Sequence, residues 1–145
     1  MSLFTDAGPG AGLDSDDRVI VETAAGFAAK KLAPFALEWD ANNHFPLDEL
    51  REAAELGMGA IYCSDDVGGS GLRRLDGVRI FAELAYADPA VAAFLSIHNM
   101  CTWMVDHYGT DEQRAEWVPK LATMETVASY CLTEPGAGSD AAALS

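Results

Sequence analysis

The sequence has little of what commits a chain to nucleic acid, disulfide or metal chemistry. Lys and Arg together number only 9 against 23 Asp and Glu, and the formal net charge of -14 opposes binding to phosphate backbones or to an anionic membrane surface. Its two basic pairs, Lys30-Lys31 and Arg73-Arg74, read as solvated helix surface. Cysteine is scarce: Cys63, Cys101 and Cys131 are far apart and without CxxC spacing, so neither a disulfide framework nor a zinc site is expected. Such thiols suit a reducing compartment. The stretch before residue 15 has no Lys or Arg and no sustained apolar run, which argues against a secretory signal or a mitochondrial transit peptide and makes a cytoplasmic location the default. No Ser/His/Asp or Cys/His arrangement, internal repeat or low-complexity tract stands out. The run Asp65-Asp66-Val67-Gly68-Gly69-Ser70-Gly71 lacks the Lys-Ser/Thr ending of a phosphate-binding loop and reads as a connector.

What is present is apolar residues, 50% of the chain, spaced for helices. Asp14-Ser15-Asp16-Asp17 offers an N-cap and first-turn acids, and Val21, Ala25, Ala28, Leu32, Ala36 and Trp39 then recur at helical spacing. Pro34 falls inside that pattern and is expected to kink or split the helix. A second helix opens at Phe45-Pro46 with Leu47, Leu50 and Ala54 as its stripe and Gly57 past its end; a third carries Leu75, Val78, Ala82 and Ala85. Asp88-Pro89 starts a fourth over residues 91–105, apolar on nearly every face, which predicts burial among other helices. Thr110 and Gln113 have capping-box spacing for a fifth, through Trp117, Val118 and Leu121. The period then changes: residues 126–132 are rich in strand formers, and Glu134-Pro135-Gly136-Ala137-Gly138 breaks them.

Few polar residues on these helices invite a chemical role. His98 is expected to hydrogen-bond within a helical core, and His107 to cap the end of its helix. Met58, Met100 and Met104 read as core filling. Residues 130–140 differ, because a strand end followed by Pro, two glycines, hydroxyls and two carboxylates presents bare backbone at a turn. Physically, that serves as an ordinary Gly-rich turn about as readily as a binding surface.

The run Leu132-Thr133-Glu134-Pro135-Gly136-Ala137-Gly138-Ser139-Asp140 resembles the first signature of the acyl-CoA dehydrogenases. Upstream, Tyr108-Gly109-Thr110-Asp111-Glu112-Gln113-Arg114 with Pro119-Lys120-Leu121 is similar to the family's approach to that signature, and Gly68-Gly69-Ser70-Gly71-Leu72 resembles its earlier glycine motif. Within the family, Ser96-Ile97-His98-Asn99-Met100-Cys101, Thr123-Met124-Glu125 and Ala128-Ser129-Tyr130-Cys131 most resemble the branch acting on isobutyryl-CoA in valine degradation.

Small, Gly-rich and aperiodic, residues 1–13 read as a frayed, disordered terminus; the resemblance implies an all-α fold, with an amino-terminal helical domain over 14–125 and the first strand of a truncated middle β domain over 126–145. It implies FAD as cofactor, lined by Tyr130, Cys131, Leu132, Thr133, Gly138 and Ser139, with Ser139 also touching the acyl-CoA substrate. The implied activity is oxidation of a short branched acyl-CoA to the 2-enoyl-CoA. Electrons would pass to electron-transferring flavoprotein, and the complete protein would be a homotetramer, in the mitochondrial matrix if eukaryotic. The family's catalytic base is a carboxylate of a carboxy-terminal bundle that no residue here matches, so Glu134 is expected to be structural. The 145-residue chain alone is expected to be inactive and to hold FAD weakly. The alternative is a helical interaction module without catalysis.

Overall fold

A computed structural model describes residues 2–4 and 13–144. The Asp14 side chain accepts from the Asp17 N–H and opens α1 (Ser15–Phe27), with Asp16 and Asp17 set against the positive end of the helix. Pro34 splits the long predicted helix. The backbone widens into a π-helical stretch (Ala28–Leu32), with the Ala33 N–H reaching the Ala28 carbonyl, and resumes as α2 (Ala36–Asn42). The inward face is Val21, Ala24, Phe27, Ala28 and Leu32, so Ala24 and Phe27 take the place expected of Ala25.

Leu50, Ala53 and Ala54 bury the inner face of α3 (Leu47–Glu55). The connector that follows has only one short 3-10 turn, Asp65–Val67, yet Met58, Ala60, Ile61 and Cys63 are buried in it. It passes so close to the end of α6 (Asp111–Ala122) that a Cβ on Gly59 would lie 2.2 Å from the Ala122 carbonyl oxygen, which restricts the position to glycine. α4 (Arg74–Ala87) packs against α1 and α5 (Pro89–Tyr108), and α6 packs against α5. Leu32, Leu50, Ile61, Leu84 and Leu95 meet at the centre. Both predicted caps form: Asp88 accepts from the Ala90 and Val91 N–H groups, and Thr110 and Gln113 bond reciprocally.

The predicted stripe of α4 is on the wrong face. Leu75 and Val78 are 53% and 61% exposed and Ala85 is exposed, whereas Asp76, Gly77, Ile80, Glu83 and Leu84 point inward. Two carboxylates can turn inward because both are partnered. Asp76 accepts from the Arg73 N–H and guanidinium and from Arg79; both arginines also bond Asp17 of α1. The Arg73 hydrogen bond, more than any other influence, holds the Asp76 carboxyl below the usual carboxylate range. Glu83 accepts from the Ser2 hydroxyl and from the N–H groups of Leu3 and Phe4. Those three residues are therefore held, against the expectation of a frayed terminus; residues 5–12 lie outside the described residues. Arg73 and Arg74 are likewise not simply solvated, since the Arg74 guanidinium lies 3.8 Å from the Tyr62 ring centre and 4.2 Å from that of Trp103.

Residues 126–132 form no strand. A strand exists through its pairing, and among the described residues no neighbouring segment pairs with this one; the single bridge nearby joins Glu134 to Ala137 across a turn.

α5 carries four buried polar side chains. Asn99 accepts from the Ile61 N–H at 2.7 Å and donates to the carbonyls of Met58 at 2.8 Å and Leu95 at 3.0 Å. The Asp106 carboxylate accepts from Ser64 and Arg114, and Thr102 donates to the His98 carbonyl. Burial pushes the Asp106 carboxyl up, but the Ser64 and Arg114 bonds outweigh it and hold it low. His98 is fully buried, its Nε2 3.0 Å from the Leu121 carbonyl and its Nδ1 3.1 Å from the Ala128 nitrogen, and burial holds the ring below its ordinary 6.5. The expected core role of His98 is what the structure shows.

Two measurements check this core. Asn99→Leu keeps much of the volume but leaves the Ile61 N–H and Met58 carbonyl buried and unpaired, so chemical unfolding should show a loss of about 2–4 kcal/mol; a loss below about 0.5 kcal/mol would show that water replaces the amide. For pH, the unfolded chain protonates His98 near 6.5 while the folded chain resists until lower pH, so the unfolded state binds more protons below that value. This contribution to stability is complete above pH 6.5 and is lost progressively as pH falls. The decline between about pH 6.5 and 5 should be shallower in His98→Gln, and equal slopes would exclude His98 as its source.

Candidate functional site

After α6 the chain turns back along α5. The Thr126 N–H bonds the Lys120 carbonyl at 3.2 Å, and the Ala128 N–H bonds His98. Beyond that point Tyr130, Cys131, Leu132 and Thr133 are exposed and without regular secondary structure, and among the described residues the backbone of 129–133 makes no hydrogen bond. The Glu134 N–H then bonds the Ala137 carbonyl at 2.9 Å and the Ala137 N–H returns the bond at 3.1 Å, closing the turn at Pro135-Gly136 with Ala137 buried. Gly138 and Ser139 follow, exposed.

The expected flavin-lining residues thus lie on one exposed ribbon and turn, and they are not gathered into a closed pocket. Gly136 and Gly138 have ordinary backbone angles, and a Cβ at either would meet nothing within 4 Å. Neither conformation nor crowding by the described residues calls for glycine there, so the space is left to whatever approaches the turn. Main-chain donors that bond to none of the described residues, the Thr133 hydroxyl and two glycines are chemically suited to a planar group with a polar edge bound through backbone. Glu134 takes part in the turn through its main chain.

Other chemistry-bearing residues do not assemble into a site. Burial, more than the nearby Asp106, pushes the Cys63 thiol up to about 12, which leaves it inert as a nucleophile at neutral pH. Cys101, half-buried, is also raised, mainly by burial and in part by Cys131. His107 lies at the exposed end of α5, stacked on Trp103 with ring centres 4.8 Å apart. Among the described residues no group of three or more His, Cys, Asp or Glu could hold a metal ion, and no helix is long and apolar enough to cross a membrane. A cavity of about 740 Å³ lies between α2, the start of α3 and the start of α5, where Trp39, His44, Phe45 and Phe94 line it. No residue of the signature reaches it. What sequence reasoning missed is the partner of His98: an isolated histidine on an apolar helix gives no signal that its second ring nitrogen binds the segment leading into the signature.

Comparison with known proteins places this geometry. The family described as "Acyl-CoA dehydrogenase, N-terminal domain" matches residues 14–125. The chain is 55% identical over 137 residues to the mitochondrial isobutyryl-CoA dehydrogenase of Dictyostelium discoideum, covering 94% of this chain and 33% of that protein. Its fold superposes with a TM-score of 0.86 on a glutaryl-coenzyme A dehydrogenase solved with glutaryl-CoA, at 31% identity over 92% of this chain and 35% of that one. With an acyl-CoA dehydrogenase from Bacillus anthracis complexed with FAD, the TM-score is 0.82 at 30% identity, over 92% and 23% of the two chains. The chain thus spans about a third of the length of the relatives it matches. Helical domain, capped approach and glycine turn agree with the match, and the chain belongs to the acyl-CoA dehydrogenase family, of which it carries the amino-terminal domain.

Proposed function

We propose that this chain supplies the helical domain and one wall of the flavin site of an FAD-dependent dehydrogenase that oxidises a short branched acyl-CoA, isobutyryl-CoA, to the 2-enoyl-CoA. The observation that carries the reading is the ribbon at 129–133: a stretch of backbone that bonds to none of the described residues, delivered by a fixed anchor and ended by a turn whose glycines none of the described residues requires. FAD, when bound, accepts the hydride from the carbon beyond the one that loses its proton. Tyr130, Cys131, Leu132, Thr133, Gly138 and Ser139 would hold it, main-chain groups near Leu132 and the Thr133 hydroxyl reaching the polar edge of the ring. Ser139 would also touch the acyl-CoA. Holding ring and thioester in one orientation, away from water, is this domain's share of the work. The base that takes the proton is a carboxylate outside the matched residues.

The branched substrate rests on the isobutyryl-CoA dehydrogenase likeness and on the motif at residues 96–101. Electron-transferring flavoprotein as acceptor, a homotetramer as the assembled state and a mitochondrial location in a eukaryote belong to the same reading. Residues 126–144 would be the lead into a β domain, gaining strand pairing from residues of that domain.

The full-length protein containing this domain should oxidise isobutyryl-CoA faster than long straight-chain thioesters, with electron-transferring flavoprotein as acceptor; a preference for long straight chains would overturn the substrate assignment. Thr133→Val preserves side-chain shape and removes one hydroxyl, so flavin binding should weaken by about 0.5–1.5 kcal/mol and the flavin absorbance should shift. An unchanged spectrum and rate would show that Thr133 only shapes the turn.

A further inference from the structure

We propose that His98 is a positioning residue for the flavin-binding ribbon, a single neutral imidazole that ties the end of α6 and the start of the ribbon to α5; this rests on the flavin reading above. The Leu121 carbonyl can only accept and the Ala128 N–H can only donate, and they face Nε2 and Nδ1 at 3.0 Å and 3.1 Å. Only the tautomer with its proton on Nε2 makes both bonds. The ring is fully buried and stacked on Phe94, with centres 6.3 Å apart and planes 18° from parallel, so its orientation is fixed. An apolar side chain could fill the same volume, but it would join neither backbone group.

The place of Ala128 in the chain gives this contact a functional side. It is the last residue anchored before the run that makes no backbone hydrogen bond among the described residues, and Tyr130 follows two residues later. Two residues of chain reach at most about 7 Å, so Tyr130 lies within that distance of the anchor and a displaced Ala128 displaces the start of the ribbon with little slack to absorb it. The same ring fixes Leu121, and Thr102 in turn bonds the His98 carbonyl one turn along α5. The anchor is thus part of the helical core, with nothing contributed by the ribbon's own residues.

Two variants separate positioning from packing. An Asn side-chain oxygen is as many bonds from Cα as Nδ1, and a Gln side-chain nitrogen as many as Nε2. His98→Asn therefore retains an acceptor for Ala128 and loses the Leu121 bond, whereas His98→Gln retains the Leu121 bond and loses the acceptor for Ala128. In the 145-residue chain, the Ala128 amide should be protected from hydrogen exchange in wild type and His98→Asn and exposed in His98→Gln. In the full-length protein, FAD binding should weaken roughly three- to tenfold in His98→Gln and stay within about twofold of wild type in His98→Asn, as expected for one net hydrogen bond. Equal weakening in both variants would reduce His98 to a packing residue, and no weakening in either would remove its functional role; both overturn the proposal. An unprotected Ala128 amide in wild type overturns it without recourse to any variant. Wild-type full-length protein that binds no FAD would overturn the flavin reading itself, and the exchange measurement would still show whether the anchor exists.

Discussion

The connector between α3 and α4 satisfies part of its backbone through its own turns, the segment after α6 has little such support, and both send remaining groups to the same face of α5. Asn99 serves Met58 and Ile61, Asp106 serves Ser64, and His98 serves Leu121 and Ala128. Positions 98, 99, 102 and 106 follow the helical repeat, so these side chains form one inward stripe. Buried polar groups cost free energy when unpaired and specify a single arrangement when fully paired, and no buried side-chain nitrogen or oxygen among the described residues lacks a partner. The hydrophobic cluster drives collapse, but it is non-directional. The polar stripe decides where the non-helical chain sits.

Charge plays a parallel role on the opposite side of α4. In so acidic a chain the few cations matter by position, and Arg73 and Arg79 both bridge Asp17 of α1 and Asp76 of α4. Asp76 is nearly enclosed, so removing either arginine would leave a buried charge short of a partner, while Arg73 itself is largely exposed and screened. The contribution of this network is to orientation more than to net stability: it turns α4 so that Leu75 and Val78 face outward.

That rotation marks where sequence reading ends. Caps were legible because each is local: Asp14, Asp88 and the Thr110–Gln113 box need only residues within three positions. The Pro34 break was legible for the same reason. The face of α4 was not, because Glu83 looks like surface until Ser2, 81 positions away, arrives as its partner, and the arginines beside Asp76 turn it inward only by also reaching Asp17, 56 positions before Arg73. A strand at 126–132 was expected from β-branched and aromatic residues, yet propensity describes a surface that suits pairing and cannot supply the other strand. The signature was legible as a pattern, while its exposure and the role of His98 required coordinates.

Together these features divide labour within the domain. Helices whose buried side-chain nitrogens and oxygens are all matched among the described residues end in a ribbon whose backbone bonds to none of those residues between Ala128 and Glu134, held at one side by the core and at the other by a two-bond turn. A ribbon free at both ends would lose conformational freedom on binding, at roughly 1–2 kcal/mol per residue for the backbone alone. Anchoring both ends meets part of that cost during folding, before any ligand arrives. The unpaired groups can remain available because solvent satisfies them in the meantime. The glycines beyond the anchor fit the same logic: side chains there would gain no packing within the domain and would occupy the space through which a bound group must reach the backbone.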